Sequence, residues 1–292
     1  MAQNESSIFH LELIRQKNLS EQETNILYAF AYGMQPATPE TAAGAAYQLD
    51  CLCPPLEQRH ECNDYIWMVW SIMLNIARSP DVTSEVHMRL VSIVESLRQI
   101  AKGDLEFGIH RRVWGDLPML PICIDAFFSD PTTDPEEEFT PKSAQIWRNF
   151  NSFAARCLRA GIAGPYTLVM HVLRSALEEE LDTVSEVGIV ECRVQVACEW
   201  IFHDAKLLLL WAQENIGYVD VPVEDSACYI EGGTLYHGPS TMCLRQWGFW
   251  LARFEELGKE ESNLSEETRK AALEAAETMT TIERRVANTL SE

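Results

Sequence analysis

Between Val194 and Trp211 apolar side chains fall on nearly every face of a helix, within a longer helical pattern running from Val187 to Ile216. A helix that is apolar all round has to be surrounded by other elements. The chain is therefore expected to wrap a bundle around this segment. No convincing strand-period stretch competes with it. The best strand candidate, Tyr218-Val219-Asp220-Val221, sits in a linker. The fold class expected is all-α, a multi-helix bundle of roughly ten helices with a buried central helix and few or no strands.

Start signals for the other helices are frequent. Ser20-Glu21-Gln22-Glu23 is a capping box, a hydroxyl followed three residues later by a carboxylate, ahead of Ile26, Leu27 and Phe30. Thr38-Pro39, Ser79-Pro80 and Thr140-Pro141 each place a capping hydroxyl before a proline at the first helical position, where its missing N–H costs nothing. After Ser79 the apolar set Val82, Val86, Leu90, Val94, Leu97 recurs at helical spacing, and after Thr140 so does Ile146, Phe150, Phe153, Cys157. Further helices are expected from Tyr166 to Leu181, Ser240 to Leu257 and Ser265 to Leu290, the last with a narrow apolar stripe that suits a surface position. Gly103 to Pro121 and Ser129 to Glu138 resist helical assignment. Residues 1–292 are expected to form one helical domain, or two packed halves with a boundary near 129–139.

Composition narrows the function. The net charge of −21 over 292 residues repels phosphate backbones and anionic headgroups, which argues against nucleic acid and membrane-surface partners. The longest charge-free apolar run, Tyr65 to Ala77, is thirteen residues, against about 20 needed to cross a bilayer. The N-terminus lacks the basic stretch and apolar core of a secretory signal. Nine cysteines, most of them inside helical patterns, read as reduced thiols in the cytoplasm.

Standard catalytic constellations are missing. There is neither a glycine-rich phosphate loop nor a Gly-x-Ser-x-Gly nucleophile elbow. Glu57 and His60 have the Glu-x-x-His spacing of di-iron bundles but lie beside Pro54-Pro55 without partners. No aspartate-rich cluster of the terpenoid-cyclase kind appears, and the nearest acidic run, Glu178-Glu179-Glu180, reads as a solvated helix end. Cys51, Cys53, His60 and Cys62 are soft ligands, but their spacing is not that of a zinc site, and Cys62 fits a buried helix face. No metal and no cofactor is expected. Glu199 and His203 share one face of the long helix, a spacing that suits acid–base work but more simply an internal hydrogen bond.

Aromatic residues carry more information. Trp67 with Trp70, Trp200 with Trp211, and Trp247 with Trp250 pair along three helices, where they either fill a core or wall an apolar pocket. The most singular stretch runs Glu231-Gly232-Gly233-Thr234-Leu235-Tyr236-His237-Gly238-Pro239 and leads into Cys243 to Phe254, where Arg245 and Arg253 are interleaved with Trp247, Phe249 and Trp250. It is either a loop-to-helix clamp or part of a site.

Leu235-Tyr236-His237-Gly238-Pro239 followed by Arg245-Gln246-Trp247-Gly248-Phe249-Trp250-x-x-Arg253-Phe254 resembles the C-terminal signature of a fungal family of intracellular helical proteins carried as a domain of unknown function. Members of that family often accompany secondary-metabolite biosynthesis. The chain is also similar in size and helical character to the hetero-Diels–Alderases of tropolone–sesquiterpenoid pathways. What the resemblance implies is a cofactor-free enzyme that joins a tropolone quinone methide to a humulene-type sesquiterpene by holding the two face to face. The resemblance brings no catalytic motif, so the candidates are this sequence's own. Tyr236 or Arg245 would donate a hydrogen bond to the tropolone oxygen. His237 or His203 would be the acid for loss of water. Trp67, Trp70, Trp247 and Trp250 would wall the site of a small apolar or aromatic substrate. A homodimer is compatible with this reading. The competing expectation is a non-catalytic helical scaffold that binds a partner through its acidic surface, although no internal repeat supports one.

Overall fold

A computed structural model describes residues 19–106, 110–133, 138–162, 166–180, 186–216, 233–238 and 241–289. Its elements in chain order are α1 (Glu21–Met34), α2 (Pro39–Leu52), α3 (Arg59–Ala77), α4 (Ser84–Arg98), β1 (Asp104–Glu106), β2 (His110–Arg112), α5 (Leu120–Ala126), α6 (Pro141–Arg159), α7 (Tyr166–Leu177), α8 (Val187–Glu214), α9 (Leu244–Leu257) and α10 (Glu266–Thr289), with a 3-10 turn at Glu260–Ser262. The fold is all-α: ten helices and one small hairpin among the described residues. None of these helices is long and apolar enough to cross a membrane. The strand candidate Tyr218 to Val221 lies outside the described residues.

The chain divides into two compact units, Met1–Asp130 with Gln145–Gly164, and Pro131–Ala144 with Pro165–Glu292. In the first, α1 and α2 pack on each other and on α4, while α3 packs on α1, α4 and α5. Both expected caps at its start form. Ser20 accepts from the Glu23 N–H while Glu23 accepts from the Ser20 N–H, and Thr38 and Thr41 reciprocate in the same way. The expected start at Ser79-Pro80 is corrected. Helix α4 begins at Ser84, capped by Thr83, whose Oγ1 accepts from the Val86 N–H. Ser79 instead turns its carbonyl to the Asn149 amide of α6, at 2.5 Å, so Pro80 and Val82 stay in the preceding turn. Thr140 does cap α6, accepting from the Ser143 N–H at 3.1 Å.

Part of the unassigned stretch after Gly103 is the hairpin, paired Asp104 to Arg112, Leu105 to Arg111 and Glu106 to His110. Beyond it, Leu117 and Met119 adopt positive φ, 47° and 66°, a region disfavoured for residues with a Cβ. Between them the Pro118 carbonyl accepts a bond from Trp70 Nε1 at 2.9 Å.

In the second unit α8 packs against α7, α9 and α10. Ala197, Trp200, Ile201 and Leu208 are fully enclosed, as expected of a central helix. Phe202 and Lys206 form an exposed edge that the all-apolar reading did not anticipate. Helix α10 buries a narrow stripe of Ala272, Ala275, Ala276 and Met279. Gln195 reaches it through Thr268, at 2.9 Å. Helix α9 starts at Leu244, later than the expected Ser240, which lies outside the described residues.

Candidate functional site

The end of α7 carries an unexpected group. Glu178, read from sequence as part of a solvated helix end, is fully buried. Its Oε1 accepts from Gln246 Nε2 at 2.6 Å and from Trp250 Nε1 at 2.7 Å, and its Oε2 accepts from the Gly233 N–H at 3.2 Å. Arg174 Nε lies 3.7 Å from the same Oε2. Gln246 and Trp250 are four apart on α9, so both side chains reach one point. A buried carboxylate is tolerated only when its lone pairs are used, and here three donors and a guanidinium use them.

The same residue anchors the loop. The Glu178 carbonyl accepts from the Leu235 N–H at 2.7 Å, and Thr234 Oγ1 accepts from the Glu180 N–H at 3.0 Å. At Gly233 a Cβ would fall 2.4 Å from the Glu178 carbonyl oxygen, so only glycine allows this approach. Arg253 fastens the other side, donating from Nε to the Leu177 carbonyl at 3.2 Å.

The clasp holds Tyr236 under cover. Its ring lies 5.2 Å from that of Phe249, and a Cβ at Gly238 would overlap its hydroxyl. Tyr236 is 5% exposed, and among the described residues the only hydrogen-bonding neighbour of its hydroxyl is Cys243 Sγ at 3.7 Å. A thiol is a weak partner for a phenol. Burial pushes the hydroxyl well above the ordinary tyrosine range, with the neighbouring thiol adding to the effect and the Arg245 charge opposing it. The group is thus a neutral donor throughout the physiological range. Nearby, Tyr166 is fully committed, accepting from the Met242 N–H at 3.1 Å and donating to the Ile216 carbonyl at 3.0 Å. Gln246 Oε1, buried beside Glu178, has no hydrogen-bond partner among the described residues.

The other candidates fall as follows. His237 is exposed on the same loop as Tyr236, and Arg245 is exposed in the first turn of α9. Trp247 is buried with its indole N–H on Glu283 Oε1 at 2.7 Å, and Trp250 is a donor to Glu178. His203 is half-buried on α8, its Nε2 3.5 Å from Glu199 Oε2. Trp67 and Trp70 belong to the first unit. Trp70 is fully enclosed, and Trp67 lines a cleft of about 350 Å³. Of the soft-ligand set, Cys51 and His60 are exposed, while Cys62 Sγ lies 4.0 Å from Cys53 Sγ. Among the described residues no group of three or more His, Cys, Asp or Glu is placed to share a metal ion.

The buried acids predict an alkaline weakness. Burial raises the phenols of Tyr65, Tyr166 and Tyr236, and pushes the thiols of Cys53 and Cys123 up to about 12. In the unfolded chain such groups release protons near their ordinary values, about 8.5 for a thiol and about 10 for a phenol. Above those values the folded chain holds more protons than the unfolded one, so stability falls as pH rises. The urea midpoint is expected to hold up to about pH 8 and to decline steadily towards pH 11. An unchanged midpoint across that range would refute the assignment.

A family model described as a protein of unknown function, DUF3632, matches residues 70–254. No curated protein and no solved structure matches the chain.

Proposed function

The chain belongs to the DUF3632 family of proteins of unknown function, and we propose that it is a cofactor-independent enzyme acting on a small, largely apolar substrate that carries an oxygen acceptor. One observation carries this reading: a buried phenol whose hydroxyl has, among the described residues, a thiol as its only hydrogen-bonding neighbour. A fully satisfied core tyrosine would resemble Tyr65, whose hydroxyl donates to the Leu49 carbonyl at 2.6 Å. Tyr236 has only the weak thiol contact to give up to a substrate oxygen, at the place where glycines on the loop bring the backbone close.

In its finer form the proposal is a cytoplasmic hetero-Diels–Alderase of fungal secondary metabolism. The heterodiene is a tropolone quinone methide and the dienophile a humulene-type alkene. Tyr236 O–H donates to the quinone methide oxygen, draws electron density from the heterodiene and lowers the barrier to concerted formation of the new C–C and C–O bonds. Arg245 adds positive charge on the same side, and His237 or His203 supplies the proton that lets water leave the precursor. Most of the acceleration comes from holding the partners together, on the order of 7–11 kcal/mol in ideal cases.

Tyr236→Phe removes the donor and keeps the ring. Its kcat with a hydroxylated tropolone precursor and humulene is expected to drop about tenfold to a hundredfold, with helicity and urea midpoint near wild type. Wild-type protein that neither forms adduct nor shows saturable tryptophan quenching by tropolone would end the proposal.

A second reading, a non-catalytic binding protein, is favoured by a different feature. Tyr28, Tyr32 and Tyr47 are exposed at 52%, 49% and 65% on α1 and α2. No lysine, arginine or histidine occurs from residue 18 to residue 58. Retention of a partner by the wild type and its loss on replacing these three tyrosines with serine would select this reading.

A further inference from the structure

The cleft at Trp67 belongs to the first unit, whereas Tyr236 belongs to the second. Asp64, Trp67, Met68 and Ile72 follow one another at helical spacing along α3, and Glu23 faces them from α1. Trp67 and Met68 are half-buried, and Ile72 forms an apolar floor. The space between, about 350 Å³, is within the range of small-ligand sites. Neither wall carries a cation. Helix α1 has no basic residue, and α3 has none from Glu61 to Ala77.

The two carboxylates differ in use. Glu23 lines the cleft while its Oε2 is held by the Ser20 N–H and hydroxyl, both at 2.8 Å. Asp64 pairs with no cation among the described residues. It precedes Trp67 by three residues, so its carboxylate stands one turn from the indole. The start of α1 contributes a fractional positive charge, but Glu21 and Glu23 in its first turn more than offset it. An indole face, a thioether and two carboxylates that meet no counter-charge among the described residues form a surface suited to a cation wrapped in methyl or methylene groups.

We propose that the Trp67 cleft binds an organic cation, an alkylammonium or a basic side chain, through its indole and the carboxylates of Asp64 and Glu23. Neither the proposed activity nor the tyrosine surface is needed for this. Both a free amine and a lysine-rich segment of a partner carry the required group.

The test follows the Trp67 indole N–H resonance of the full chain, assigned by its loss in Trp67→Phe. Choline is expected to shift it saturably with a low-millimolar dissociation constant that weakens as salt is added. The neutral isostere 3,3-dimethylbutan-1-ol is expected to leave it in place. Asp64→Asn should weaken choline binding about fivefold or more, and Glu23→Gln, which keeps the capping box, should weaken it less. Spermidine binding more tightly than a lysine-rich decapeptide would support the proposal with a free amine as the source, and the reverse order would support it with a partner segment as the source. Equal shifts with choline and its neutral isostere, no shift with either, or a folded Asp64→Asn protein that binds as the wild type does would each overturn it.

Discussion

Replacing Glu178 with alanine is expected to destabilise the second unit by about 3–5 kcal/mol. The substitution removes an acceptor on which three donors depend, Gln246 Nε2, Trp250 Nε1 and the Gly233 N–H. Each orphaned buried donor costs on the order of 1–3 kcal/mol, and water entering the vacated space recovers part of that. Glu178→Gln should be milder. Its amide oxygen still accepts from Gln246 and Trp250, but its nitrogen then meets the Gly233 N–H donor to donor. The expected signature is a lower urea midpoint with an unchanged slope, together with faster hydrogen exchange in the last turn of α7 and the first two turns of α9. A Glu178→Ala protein within about 1 kcal/mol of wild type would mean that the clasp does not hold the loop.

This residue also marks where sequence reading stopped. Three consecutive glutamates at a helix end have the composition of a solvated face, and nothing local tells Glu178 from Glu179 and Glu180. Its donors lie 55 to 72 positions further on. The informative signal lies with the donors. Indoles on a buried helix need acceptors, and the carboxylates of the helix holding Trp247 and Trp250, Glu255 and Glu256, are confined to its last turn. Local chemistry, by contrast, was legible. The caps at Ser20, Thr38 and Thr140 read correctly because each involves residues within one turn. Ser79-Pro80 misled because Thr83 offers an equivalent hydroxyl four residues later, and a long-range contact to Asn149 decided between them. Tyr236 and its flanking glycines stood out in sequence, but the sparse partnering of its phenol depends on Cys243 and Phe249 and is visible only in three dimensions.

Trp70 separates a packed interior from a hollow one. It is fully buried, edge-on to Trp114 at 6.0 Å and 88°, and its indole N–H is spent on the Pro118 carbonyl. Trp114 in turn donates to Asp50 Oδ1 at 2.7 Å, and Lys102 Nζ pairs with that same oxygen at 3.1 Å. Trp70→Ala is therefore expected to cost about 4 kcal/mol, the transfer and cavity terms of a large enclosed side chain. Trp70→Phe keeps most of the volume but strands the Pro118 carbonyl, so about 1–2 kcal/mol is expected. If the ring instead walled an open substrate site, most of its surface would face solvent in the ligand-free protein, and Trp70→Ala would cost less than about 1 kcal/mol. The two outcomes differ by more than the error of a urea titration. Of the two indoles on this helix, a large loss leaves a ligand role to Trp67 alone, three residues earlier and lining the cleft.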